Sequence, residues 1–192
     1  MQAAWAAGIN GKGVTIAMID EPVISDAPEL EGADISYALA PGTDCHYTDG
    51  SSMTATIKAG TPLALLGEGE SPVETYATHG THMLANIVGN GKGYDGGVGV
   101  RGVAPGTSVD FYANMLNNFS NEGLTSCPSK DQAPQAMKIG PQIDQAVDKG
   151  ARLVSMSFLS QISEDDYDGF LSALRHGVIL GLAAKMCVRN RP

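Results

Sequence analysis

Apolar and polar positions fall in blocks along this chain, and the blocks read alternately as strands and helices. Val14 to Ile19 is a continuous apolar run rich in β-branched residues, the pattern of a strand covered on both faces. A short helix over residues 3 to 7, ending at Gly8, and the turn Asn10-Gly11-Lys12-Gly13 precede it; Asp20 ends it, and Glu21-Pro22 breaks the strand. Val98 to Ala104, the turn Pro105-Gly106 and Val109 to Met115 predict a second buried strand, Leu153 to Phe158 a third and Val178 to Leu182 a fourth. Ile139 to Lys149 has helical periodicity with Ile143, Ala146 and Val147 inward and Gly150 as its stop. Ser163-Glu164-Asp165-Asp166 has capping-box spacing and opens a helix carrying Phe170, Leu171 and Leu174, closed by Gly177. The alternation predicts an α/β fold in three layers, a mostly parallel twisted sheet with helices on both faces.

One further helix has a polar residue of interest at its predicted start, in Thr78-His79-Gly80-Thr81-His82-Met83-Leu84-Ala85-Asn86-Ile87-Val88-Gly89. Thr78 suits the cap of a first turn and Gly89 the position just past the last. His79, Met83 and Ile87 then share a face, with Leu84 and Val88 beside it. A histidine in the first turn of a packed helix is rigidly supported and sits where the helix dipole disfavours extra positive charge, which suits a general base. The plainer reading is a helix that happens to begin with histidine.

Residues 25 to 77 are long, polar and glycine-containing, with weak strand patterns at Ile35 to Leu39 and Leu63 to Leu66, and read as a surface insertion. Asn90-Gly91-Lys92-Gly93-Tyr94-Asp95-Gly96-Gly97 reads as a glycine-rich loop; Asn90, Asp95 and backbone carbonyls offer a structural calcium ion ligands without the regular carboxylate spacing of a known calcium loop.

At 192 residues, 43% hydrophobic and 17% charged, the chain suits one globular domain. A net charge of −9 argues against nucleic acid and anionic membrane surfaces as partners. No stretch reaches the about 20 apolar residues that span a bilayer, and no signal peptide is visible at Met1. The three cysteines, Cys45, Cys127 and Cys187, leave open either a Cys45–Cys127 disulfide or free thiols.

Asp20 places a carboxylate at the C-terminal end of a buried strand, where α/β sheets keep functional groups; an acidic turn after a strand is the plainer reading. With His79 it gives the order acid, then base, the order that subtilisin completes with serine. Several segments, in order, resemble the subtilisin-like (subtilase) serine peptidases: Trp5 through Asp20; Pro28-Glu29-Leu30; His79-Gly80-Thr81-His82; Gly102-Val103-Ala104-Pro105; and Ile143 to Ser157. The resemblance implies a serine endopeptidase acting on polypeptides. His79 would be the base and Asp20 its orienting acid, with the edge Ser155, Met156, Ser157 and Phe158 pairing with substrate backbone as an added strand. It also implies a secreted or cell-envelope location and a structural role for His82.

The sequence also departs from that family. Asp20-Glu21-Pro22 stands where the family has Asp-(Thr or Ser)-Gly, and Phe158-Leu159-Ser160 follows Ser157 where it has glycine. Ala183-Ala184-Lys185-Met186-Cys187 stands where it has the Ala-Gly-Asn of the oxyanion hole; losing one such donor costs about 10²–10³ in rate. No Gly-Thr-Ser-Met nucleophile segment follows. Gly106-Thr107-Ser108 runs into a strand rather than a helix, and Gly50-Ser51-Ser52-Met53 lies between acid and base. Lys185 to Pro192 is abruptly basic, and a two-base shift of frame at Ala183 to Met186 permits Gly-Glu-Asn-Val. The expectation is therefore a single peptidase domain over 1–192 that lacks its C-terminal part and nucleophile, with 185–192 a non-native tail, inactive alone. Two alternatives are a degenerate peptidase fold that only binds peptides and a metal enzyme using His79 and His82, for which no intervening glutamate or third ligand is evident.

Overall fold

A computed structural model describes residues 1–20, 23–39, 56–57, 72–113, 139–158 and 164–183. Its centre is a five-stranded sheet of β1 (Thr15–Asp20), β3 (Asp34–Leu39), β7 (Ser108–Ala113), β8 (Leu153–Met156) and β9 (Ile179–Leu182), in the order β3-β7-β1-β8-β9, with every pairing parallel. The remaining strands form small accessory pairs, β2 (Val23–Ile24) with β4 (Thr56–Ile57) and β5 (Asn90–Lys92) with β6 (Val98–Arg101). The helices are α1 (Gln2–Ala6), α2 (Pro72–Val88), α3 (Gly140–Asp148) and α4 (Glu164–Arg175). None among the described residues is long and apolar enough to cross a membrane.

Successive residues of β1 serve opposite faces. Ala17 and Ile19 pack with Ile139, Ile143 and Ala146 of α3 and its approach and with Ala173 of α4. Met18 packs with Leu84, Ala85 and Val88 of α2 and with Leu30. The strand is central because its residues Ala17 to Asp20 are all buried, which only cover on both faces allows. The three-layer α/β arrangement read from the pattern is the one observed. From β1 the chain passes to one side through β3 and β7, then crosses to the other through β8 and β9. The carboxyl end of β1 thus lies at the reversal, where such sheets open a crevice.

Two expectations are corrected. The helix bearing His79 begins at Pro72, not at Thr78. Proline loses nothing at a first helical position, and His79 therefore sits two turns inside the helix, away from its dipole end. The span 25 to 77, expected as surface insertion, supplies an edge strand of the main sheet, β3, paired along its length with β7; as an edge strand it shows only a weak apolar signal. In α4, Leu171 and Leu174 are exposed, and Asp166, Gly169 and Ala173 face inward. The reason is close helix contact: a Cβ built on Gly169 would stand 2.5 Å from the Gly140 carbonyl oxygen. The capping-box residue Asp166 reaches the start of the neighbouring helix, its Oδ1 accepting the backbone N–H groups of Ile139 (2.7 Å) and Gly140 (2.9 Å). The strand pattern at Leu63 to Leu66, the three cysteines, Glu21-Pro22, Gly50 to Met53 and the basic tail lie outside the described residues.

Candidate active site

Asp20 is the last residue of β1 and shares the parity of Met18, so its side chain belongs to the face that α2 covers. It is fully buried, and its Oδ1 accepts a hydrogen bond from His79 Nδ1 at 2.7 Å. The imidazole keeps 40% exposure. Because Nδ1 is held by the carboxylate, Nε2 is the nitrogen left to exchange a proton. A buried carboxylate aimed at a half-exposed imidazole orients the ring and stabilises its positive charge once it has accepted a proton, which is the work of the acid in a hydrolytic triad.

Helix α2 is fixed by its own residues. Thr81, Leu84, Ala85 and Val88 form its buried centre, and His79, Met83 and Ile87 form a half-buried flank beside it. His82 and Asn86 face solvent. The C-terminal carbonyls of the helix, which have no partners within it, are met by the following strand turn. Gly102 N donates to Gly89 O, Val103 N to Asn86 O and Ala104 N to Ile87 O. A Cβ at Gly102 would collide with the Ile87 carbonyl, so the glycine of Gly102-Val103-Ala104-Pro105 is required by this seal. Trp5 of α1 braces the same turn, its Nε1 donating to Val103 O while Arg101 stacks over its ring.

The four residues expected to bind substrate separate. β8 is paired with β1 on one side and β9 on the other over Leu153–Met156, and Met156 O also accepts Ala183 N–H. Met156 is 3% exposed within the α3–α4 core. Ser155 and Met156 therefore have no open edge for an added strand, and the expected edge narrows to Ser157 and Phe158 beyond the ladder. Phe158 also leans on the α3–α4 core.

Ser108 stands opposite Thr15 at the amino end of β7, whereas Asp20 stands opposite Ala113. Five residues of strand separate the two ends, about 16 Å, and Ser108 Oγ donates to Asp34 Oδ2, so this serine is no partner for His79. Asn90 is used structurally, its amide donating to Pro28 O and Glu31 O and its Oδ1 accepting Lys92 N–H. Among the described residues no group of three or more His, Cys, Asp or Glu side chains gathers to hold a metal ion, so His79 and His82 find no third ligand there. Two residues of this region escaped the sequence reading: Thr81, whose role depends on a contact 57 positions away, and Gly102, whose role as helix seal depends on α2.

A model of the subtilase family matches residues 11–184. The chain belongs to the subtilase family. It is 31% identical over 125 residues to a probable subtilase-type serine protease of Deinococcus radiodurans, covering 65% of this chain and 16% of that protein. Among solved structures, the PatG macrocyclase domain has a TM-score of 0.58 at 16% identity, over 90% of this chain and 50% of that one. The protease domain of PatA has a TM-score of 0.55 at 18% identity, over 91% of this chain and 50% of that one. These two likenesses show the fold. This subtilase chain spans about half the length of these structures and a far smaller part of the Deinococcus protein.

Proposed function

We propose that this subtilase contributes the acid and the base of a serine endopeptidase that cleaves polypeptides. His79 Nε2 takes the proton from a serine hydroxyl as that oxygen attacks the scissile carbonyl, and returns it to the leaving amine; Asp20 holds the ring through Nδ1 and stabilises the imidazolium. The observation that carries the reading is the 2.7 Å contact between buried Asp20 and half-exposed His79 at the carboxyl end of the central strand. The nucleophile in this reading is a serine outside the described residues, in the part of the domain that carries the family's Gly-Thr-Ser-Met segment. The 192-residue chain alone is then inactive. Substrate backbone pairs beyond β8, at Ser157 and Phe158, and the family resemblance supports a secreted or cell-envelope location.

A second reading is favoured by Ala183-Ala184-Lys185, where the family carries its oxyanion asparagine: a domain that holds peptides without cutting them. A fluorophosphonate probe separates the two. Under the first reading the chain joined to a segment carrying the family's serine is labelled, its His79→Ala variant is not, and the 192-residue chain alone is not. A joined chain that goes unlabelled and still binds peptides supports the second. Labelling of the 192-residue chain by itself overturns the assignment of an external nucleophile.

A further inference from the structure

The proposed chemistry needs α2 and the end of β1 to keep one register, because His79 and Asp20 stand on different elements. Apolar packing supplies most of the attachment: Leu84, Ala85 and Val88 lie against Met18 and Val23. Such packing is non-directional. A slip of α2 by a single residue rise, about 1.5 Å, would keep much of that contact and lose the 2.7 Å hydrogen bond. The seal at Gly102 to Ala104 holds the helix at Asn86 to Gly89, about two turns beyond His79. Near His79 the directional link is Thr81, 5% exposed, whose Oγ1 accepts the Ile24 N–H at 2.9 Å.

We infer that Thr81 is the positioning residue of the Asp20–His79 pair, an inference that rests on the reading of that pair as the acid and base of a peptidase. Ile24 follows Asp20 by four residues and Thr81 follows His79 by two. Two hydrogen bonds, Asp20–His79 and Ile24–Thr81, thus close a small ring between strand and helix. Each bond fixes the geometry the other requires. Solvent competes for the half-exposed imidazole, whereas the Thr81 bond is sheltered and keeps its direction. Misplacing a base by about 1 Å costs on the order of 10²-fold in rate, which is the loss expected of a released ring.

The test reads the tautomer of His79 by ring nitrogen chemical shifts in the protein labelled with 15N-histidine, with the imidazole neutral. The parent holds its proton on Nδ1, facing Asp20. Thr81→Ser keeps the hydroxyl and that tautomer. Thr81→Val keeps the shape, loses the acceptor, and shifts the ring toward the Nε2–H form that free imidazole side chains prefer. Asp20→Asn makes the same shift whatever Thr81 does, so the readout stands even where no peptidase activity is found. A folded Thr81→Val or Thr81→Ala protein that keeps the Nδ1–H form overturns the inference. So does the failure of both to fold while Thr81→Ser folds, because the hydroxyl would then serve the fold and not the pair.

Discussion

The two faces of the central sheet are built from alternate residues of the same strand, yet they are finished differently. On the α3–α4 face, Ala17 and Ile19 meet helices drawn so close that Gly169 touches the Gly140 backbone, and the polar side chain buried between them, Asp166, is used on two backbone N–H groups. On the α2 face, Met18 is as well buried, but the next residue of that parity is Asp20, aimed at an imidazole that is 40% exposed. One face turns its buried carboxylate onto backbone N–H groups; the other leaves a charged group connected to solvent through one ring. A rigid closed face is what lets the open one hold a geometry.

That contrast is sharpened most by Asp20→Asn. Amide for carboxylate keeps the shape but favours the wrong histidine tautomer, so under the proposed peptidase reading the rate falls by about 10⁴, while Tm moves by only a few degrees. A collapse of Tm instead would mean that Asp20 is a packing residue and that the faces do not differ in kind. The converse experiment is Asp166→Ala. It leaves the Ile139 and Gly140 N–H groups buried without an acceptor and should cost about 3 kcal/mol. For a chain of this size that lowers Tm by roughly 6–12 °C. The His79 tautomer in the folded fraction stays unchanged. Gly169→Ala acts in the same direction because its new methyl must displace backbone.

Much of this contrast was legible before any coordinates. The apolar run ending in Asp20 predicted a buried strand with a carboxylate at its end, and helical spacing after His79 predicted a supported ring, because both are local patterns that a single element imposes. What the sequence did not disclose depends on pairs far apart in it. Asp166 reads as a cap for its own helix, and its bonds to the start of α3 go unread, since side-chain reach across a helix contact leaves no periodic trace. Met156 reads as part of a substrate edge and lies in the core, since nothing local says that β9 will take the free side of β8. β3 shows only as the weak strand pattern at Ile35 to Leu39, because an edge strand carries little apolar signal, and nothing local says that it joins the main sheet beside β7.

A smaller effect tests how tightly the closed face is finished. Tyr112 is fully buried in the α3–α4 core, and its hydroxyl has no hydrogen-bond partner among the described residues. Tyr112→Phe removes an unsatisfied polar atom and keeps the ring beneath Lys149. It should stabilise by about 1 kcal/mol, raising Tm by about 2–4 °C. Burial, with the Asp110 carboxylate adding to it, pushes this hydroxyl from 10.0 up to about 12. The folded state therefore keeps the proton over a range in which the unfolded chain has lost it, and stability falls as pH rises from about 10 to about 12. Chemical denaturation across that range should show the fall in the parent and a smaller one in Tyr112→Phe, since burial also raises the hydroxyls of Tyr37 and Tyr94.

The least effect is expected at a strong-looking contact on the α2 side. Lys92 Nζ lies 2.7 Å from Glu31 Oε2, between the β5–β6 hairpin and the segment after Leu30, with the two side chains 61% and 68% exposed. The hydrogen bond from Lys92, and then its charge, holds the Glu31 carboxyl below its ordinary value of 4.5. A lowered carboxyl stabilises at neutral pH and loses that contribution as pH falls through its folded value. Here, though, both groups are hydrated, and an exposed pair gives back in side-chain entropy and screening most of what it gains. Lys92→Ala should therefore raise the Glu31 titration, followed by carboxyl chemical shift, and leave Tm where it was. If Tm drops as far as it does in Asp166→Ala, then burial is not what separates the two faces, and proximity to the Asp20–His79 pair must be counted in its place.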